Sequence, residues 1–265
     1  MFSNVIGQKP LEDQIKYKAT YELVYTPDST KIEDVKSEKF ILYIGDQLSI
    51  FASQGRTLRD SLKITARDRN IDFKEHARRT KTDFGEVIYK GFPENNISYS
   101  YEIIRDKLRY EEDLNQFAWK ILPESKTIQG YKAQKASTSF AGRNYLAWFT
   151  SEIPIDDGPY KFNGLPGLIL EISDTENHYN YKLQSFEKLE DSPTVRIKAS
   201  NFLKSDKKEV LERIKEYKLN PFAVLERNNT PEKTIKIGFK EGQKEKLLRD
   251  TREKLKKQNN PIELE

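Results

Sequence analysis

A chain of 265 residues, 36 % hydrophobic and 33 % charged, is long enough for a substantial core, and fourteen Tyr, fourteen Phe and two Trp exclude a disordered polymer. The absence of cysteine excludes disulfides, thiolate metal sites and cysteine nucleophiles, and two histidines, His76 and His178, exclude a multi-histidine metal centre. The formal charge of +4 sits in one stretch: residues 54–84 carry nine Lys or Arg against five acids and leave the rest of the chain neutral, which excludes a broadly basic nucleic-acid surface.

Residues 1–12 form an N-terminal segment. Its first eight residues, Met1 to Gln8, read either as the end of an apolar signal core with its small-residue cleavage site or as a frayed terminus. No apolar run reaches the length needed for a transmembrane helix.

Residues 13–200 read as one antiparallel β domain. Tyr17, Ala19, Tyr21, Leu23 and Tyr25 alternate with Lys18, Thr20 and Glu22, the period of a half-buried strand. Thr26-Pro-Asp-Ser29 ends it with turn residues, and Phe40-Ile-Leu-Tyr-Ile44 is apolar on both faces, hence central. Gly45-Asp46 turns the chain into Leu48-Ser-Ile-Phe51. Leu58 and Leu62 predict a short helix over 57–66, residues 67–82 show no period and read as a long polar connection, and the basic segment as a whole reads as a solvated face.

Strands resume at 86–89, 97–103 and 108–110 as a meander, and Phe117-Ala-Trp-Lys-Ile121 follows as the next strand. A hairpin is predicted from Gly130 to Phe140 and back from Asn144 to Thr150 about Ala141-Gly142-Arg143. On its return arm Tyr145, Ala147 and Phe149 face one way, and Leu146 and Trp148 the other.

The densest punctuation follows. Gly158, Pro159, Gly164, Leu165, Pro166 and Gly167 fall within ten residues and lead into Leu168-Ile-Leu-Glu-Ile172, a sharp turn entering a buried strand, with Pro166-Gly167 suited to the centre of a type II turn. These six residues form the structural hub. Tyr179, Tyr181 and Leu183 give another strand, and Val195 and Ile197 a last short one. Residues 201–265 then read as a helical appendage packed on the same domain. Ser205 serves as N-cap of a helix bearing Val210, Leu211 and Ile214, Phe222 to Leu225 form a further short turn, and 241–258 is a charged surface helix. The fold class is mainly β (α+β), a curved antiparallel sheet or half-open barrel with C-terminal helices.

Gly164-Leu-Pro-Gly-Leu-Ile169 is the signature after which the GLPGLI family is named. Phe40 to Gly45, Trp119-Lys-Ile121, Gly130-Tyr-Lys132, Gln134-Lys-Ala136, Gly142-Arg143, Ala147 to Thr150, Glu152-Ile-Pro154 and Gly158 to Phe162 stand in that family's order, and Asn259-Asn-Pro-Ile-Glu-Leu264 is similar to the close of many members. Ala133 departs from the pattern, since many relatives carry a cysteine there. The resemblance implies an exported protein of a Gram-negative envelope, periplasmic or outer-membrane-associated, with an outer-membrane receptor or other envelope protein as partner. It brings no reaction and no cofactor.

The residues themselves offer little chemistry. No Gly-x-Ser-x-Gly elbow or Gly-rich phosphate loop is present, Asp156-Asp157-Gly158 is ordinary turn chemistry, and His178 is most simply a turn residue, so no catalytic residue, metal or cofactor is assigned. A curved sheet lined by aromatics can hold a small apolar or peptide-like ligand, with Trp119, Trp148, Tyr160 and Phe162 as wall residues and Arg143 as anion anchor. The alternative is that the aromatics fill the core and Arg143 caps a turn. The function expected is that of a binding or accessory protein of the envelope. The other readings are a purely structural partner of an outer-membrane complex and, less favoured, a hydrolase with an unrecognised site.

Overall fold

The computed structural model describes residues 9–68, 80–223 and 241–265, with the side chains of all but 62–68. The strands are β1 (Leu11–Gln14), β2 (Tyr17–Tyr25), β3 (Lys36–Ile44), β4 (Ser49–Ser53), β5 (Glu86–Lys90), β6 (Asn96–Ile103), β7 (Asp106–Asp113), β8 (Lys120–Ile128), β9 (Tyr131–Phe140), β10 (Arg143–Thr150), β11 (Leu168–Asp174), β12 (Tyr179–Lys188), β13 (Thr194–Ile197) and β14 (Leu203–Lys204). The helices are α1 (Gln54–Asp68), α2 (Lys207–Leu219) and α3 (Gln243–Lys256).

Twelve strands make one open sheet in the order β14-β7-β6-β5-β4-β3-β2-β12-β11-β10-β9-β8, and β1 pairs with β13 in a separate ribbon. Every pairing is antiparallel except that of β14 with β7. The fold is therefore mainly β with late helices, as the alternation predicts. In β2 the alternation settles which face is covered: Ala19, Tyr21, Leu23 and Tyr25 are buried while Lys18, Thr20, Glu22 and Val24 are only half-buried.

The sheet is strongly curled. The Lys161 ammonium lies 5.2 Å from the ring centre of Tyr110 on β7 and 5.7 Å from that of Phe140 on β9. Those strands stand nine places apart in the sheet order. In a flat sheet they would be on the order of 40 Å apart, so a single side chain can reach both only across a bowl. The concave face carries the main core, including Tyr21, Phe40, Leu42, Phe51, Tyr145, Phe149, Leu170 and Tyr181. Ala133, at the position where the resemblance has a cysteine, is fully buried in it.

Local chemistry differs from expectation at several points. Helix α1 begins at Gln54 and runs to Asp68, longer than the 57–66 predicted, and the predicted connection from 69 to 79, with His76, lies outside the described residues. Arg56 is buried rather than solvated: Nε donates to Asp60 at 3.0 Å and Nη2 to Glu102 at 2.7 Å. The strand placed at 117–121 begins instead at Lys120. The N-cap of α2 is Asp206, whose carboxylate accepts from the Glu209 amide at 2.8 Å, so Ser205 stands one residue too early. The turn at 165–167 is not type II. The Gly167 amide donates to the Leu165 carbonyl at 2.7 Å, a three-residue turn centred on Pro166, and Gly167 has φ +146°. The helical turn placed at 222–225 is present up to Ala223, beyond which lie undescribed residues.

Candidate functional site

Two buried lysines hold the hub inside the bowl. Residues 151–167 leave β10, cross the concavity and return as β11. Lys90, at the end of β5, donates to the Gly158 carbonyl at 2.6 Å and ion-pairs with Asp157. Burial pushes its pKa down, against the opposing pull of Asp157. Asp157 is thus a buried ionic partner, where the sequence reads only a turn.

Lys161, fully buried, points the other way. Its Nζ donates to the Tyr110 hydroxyl at 3.1 Å and ion-pairs with Glu112 and Glu263, while Lys207 closes the cluster at 3.2 Å from Glu112 and 2.9 Å from Glu263. Two ammonium groups face two carboxylates, so the cluster is neutral overall, the condition under which charges tolerate burial. Burial alone would raise the Glu263 pKa, but the lysines and the Tyr160 hydroxyl outweigh it and hold the carboxyl below its ordinary value.

Glu263 belongs to a closing segment, residues 259–265, that is neither helix nor strand and lies against the bowl. Arg143, on β10, donates to the Asn260 side-chain oxygen and to the Pro261 carbonyl, and Tyr145 and Tyr179 donate to the carbonyls of Ile262 and Asn260. Asn260 is 5 % exposed.

Between the mouth of the bowl, α2, α3 and this segment lies a cavity of about 780 Å³. Its floor is aromatic, with Tyr25, Phe84, Tyr99, Tyr160 and Tyr179, and Leu211, Ile214 and Leu255 roof it from the two helices. Lys215 and Lys218 from α2 and Arg252 and Lys256 from α3 line it with positive charge, and Glu86 of β5 faces it from the sheet. Burial pushes the Glu86 pKa up, opposed by Lys218.

The residues singled out in the sequence divide among these places. Tyr160 lines the cavity, and its hydroxyl donates to Glu263. Phe162 is fully buried behind it, with its ring 4.7 Å from Tyr145 and 6.4 Å from Trp119. Trp119 donates its indole N–H to the Asn163 carbonyl at 2.7 Å and so ties the segment before β8 to the hub. Trp148 faces away from the bowl, covered by the ammonium groups of Lys126 at 4.5 Å and Lys135 at 5.7 Å. Arg143 directs its two terminal nitrogens to Asp174, Asn260 and Pro261 and does not line the cavity. Of the cavity lining, sequence reasoning singles out only Tyr160. Tyr25, Glu86, Tyr99 and Tyr179 look like ordinary strand positions, and Lys215, Lys218, Arg252 and Lys256 like solvated helix charges, and only the tertiary fold brings them together.

Asp174, Glu176 and His178 could offer three metal ligands within 4.8 Å of one another. The Arg143 guanidinium already sits there, with Nη1 3.0 Å from Asp174 and 3.3 Å from His178 Nδ1, so a cation already occupies the position.

Comparison with known proteins bears on the fold and on the hub. The family described as "Protein of unknown function (Porph_ging)" matches residues 141–171, from the turn before β10 through the hub into β11. No curated protein matches the sequence. Two solved structures of PNGF-II, in P21 and C2 crystal forms, are similar at a TM-score of 0.54 and 15 % identity, over 77 % of this chain. The chain spans about a third of the length of that protein, 34 % and 33 % in the two forms. It therefore shares a β-rich fold with part of PNGF-II and carries, at its hub, the matched segment of a family of unknown function.

Proposed function

We propose that this protein is an accessory binding protein of the cell envelope that holds a small amphipathic ligand, anionic at one end, in the cavity beneath α2 and α3. The observation that carries the reading is the cavity itself. Its volume of about 780 Å³ falls in the range of small-molecule sites, its floor is aromatic, and four cationic side chains line it from the helices. Tyr25, Tyr99 and Tyr179 present flat apolar faces to a hydrocarbon body, and the lysines and arginine favour a carboxylate or similar head.

The envelope setting and an outer-membrane receptor as partner rest on the resemblance to the GLPGLI family. No described helix is long and apolar enough to cross a membrane. The competing reading, a structural partner that docks through a sheet edge, is disfavoured by β8. That edge strand carries Pro123, Lys120 and Lys126, the features that discourage strand addition.

The test is binding of dodecanoate and of dodecylamine, followed by calorimetry. Dodecanoate is expected to bind at least tenfold more tightly, and Leu211→Trp, which pushes an indole into the cavity from a partly exposed position, is expected to abolish binding while leaving the melting temperature within a few degrees. Absence of binding by either amphiphile, or equal binding by the Leu211→Trp variant, would remove the proposal. Cell fractionation checks the location independently.

A further inference from the structure

We infer that the bowl contains a peptide-recognition site for an Asn-Pro-apolar-Glu stretch of polypeptide, and that residues 259–265 are the copy of that stretch seated in it here. The contacts to this segment are those of a receptor for a peptide. Its main chain is held chiefly by side chains of the body: Tyr145 Oη donates to the Ile262 carbonyl at 3.1 Å, Tyr179 Oη to that of Asn260, and Arg143 Nη2 to that of Pro261 at 2.8 Å. Lys207 Nζ donates to the Glu265 carbonyl at 3.3 Å, and two bonds join main chain to main chain, from the Asn260 amide to the Pro27 carbonyl at 3.1 Å and from the Leu264 amide to the Ala141 carbonyl at 3.0 Å. Pro261, between them, has no N–H that would need a partner.

Asn259, at the exposed start, bonds through its side chain to Ser29 and Asp28, and two deeper positions are read by identity. The Asn260 amide group is used at both ends, its oxygen accepting from Arg143 and its nitrogen donating to the Thr26 carbonyl at 2.8 Å. An aspartate there would lose the donor, and a glutamine would be too long for the buried space. The Glu263 carboxylate accepts from the Tyr160 hydroxyl and faces Lys161 and Lys207, so a neutral residue would leave a buried ammonium short of a partner. Main-chain bonds that give affinity, with side-chain contacts that give selectivity, are the division of labour of peptide recognition.

Helix α3, which leads into the segment, has no fully buried residue and is tied to the body by the Lys254–Asp83 ion pair at 2.6 Å. The segment's own contacts are separate from that pair, and the tether adds to them by raising its local concentration. The same chemistry presented by another polypeptide fits the same site.

The experiment places a protease site after Lys257 in the full chain, cuts it, and follows exchange of the cut segment for a fluorescent synthetic peptide of residues 259–265 by anisotropy. The expected result is a folded cut protein that takes up the peptide, with Glu263→Gln and Asn260→Asp peptides each at least tenfold weaker and a scrambled peptide not bound. A cut protein that unfolds, that never exchanges its segment, or that takes up the scrambled peptide equally well overturns the inference. Hydrogen exchange on the uncut chain gives an independent reading. The Asn260 and Leu264 amides should open together well before those of Tyr21 and Leu42, and exchange only with global unfolding would also overturn it.

Discussion

At the scale of single residues, the fold depends on charges that nothing in the local sequence marks as buried. Lys161 sits between Tyr160 and Phe162 in an ordinary polar-looking turn, yet it is fully buried between Glu112 and Glu263. Replacing it by Met removes one of the cluster's two cations and leaves Glu112 and Glu263 to share Lys207, so Lys161→Met should cost about 3 kcal/mol in urea unfolding. Combining it with Glu263→Gln should be clearly less than additive, since one cation then faces one carboxylate again. Glu86 gives the opposite sign. Its folded pKa is raised by burial, so its contribution to stability is fully present below the unfolded value of 4.5 and is lost as the pH rises through the folded value. Glu86→Gln should therefore match the parent in acid and exceed it at neutral pH, as denaturation midpoints at pH 4 and pH 7.5 would show.

At the scale of elements, the hub was visible because its requirements are local. Glycine and proline density announces a sharp turn wherever it occurs, and the aliphatic run after it announces a buried strand. The turn type was not visible, because it is set by where Thr150 lies. A Cβ on Gly167 would fall 2.0 Å from the Thr150 carbonyl oxygen, whereas one on Gly130 meets nothing within 4 Å, although both residues have positive φ. Gly167→Ala should accordingly cost more than about 3 kcal/mol, the backbone penalty plus displacement of a buried strand end, and Gly130→Ala only about 1 kcal/mol. Paired chemical denaturation of the two variants checks the ranking. The strands were legible for the same reason as the hub: the two-residue alternation in β2 and β10 needs no knowledge of what lies opposite.

At the scale of the whole molecule, the closing segment links three parts of the chain, through Asn260 to Thr26 and Arg143 and through Glu263 to Tyr160 and Lys161. The lowered pKa of Glu263 makes this linkage sensitive to acid. Its stabilisation is present above the unfolded value of 4.5 and is lost as the pH falls through the depressed folded value. The sequence by itself determined the class of the fold, most strand positions and the hub, because periodicity and turn residues act over a few neighbours. Only the tertiary structure decided the curl of the sheet, the burial of Lys90 and Lys161, the cavity and the seat of residues 259–265. Each of these depends on partners separated by tens to more than a hundred residues, such as Arg143 and Asn260, 117 apart, and no local pattern encodes which distant group will neutralise a charge or satisfy an amide.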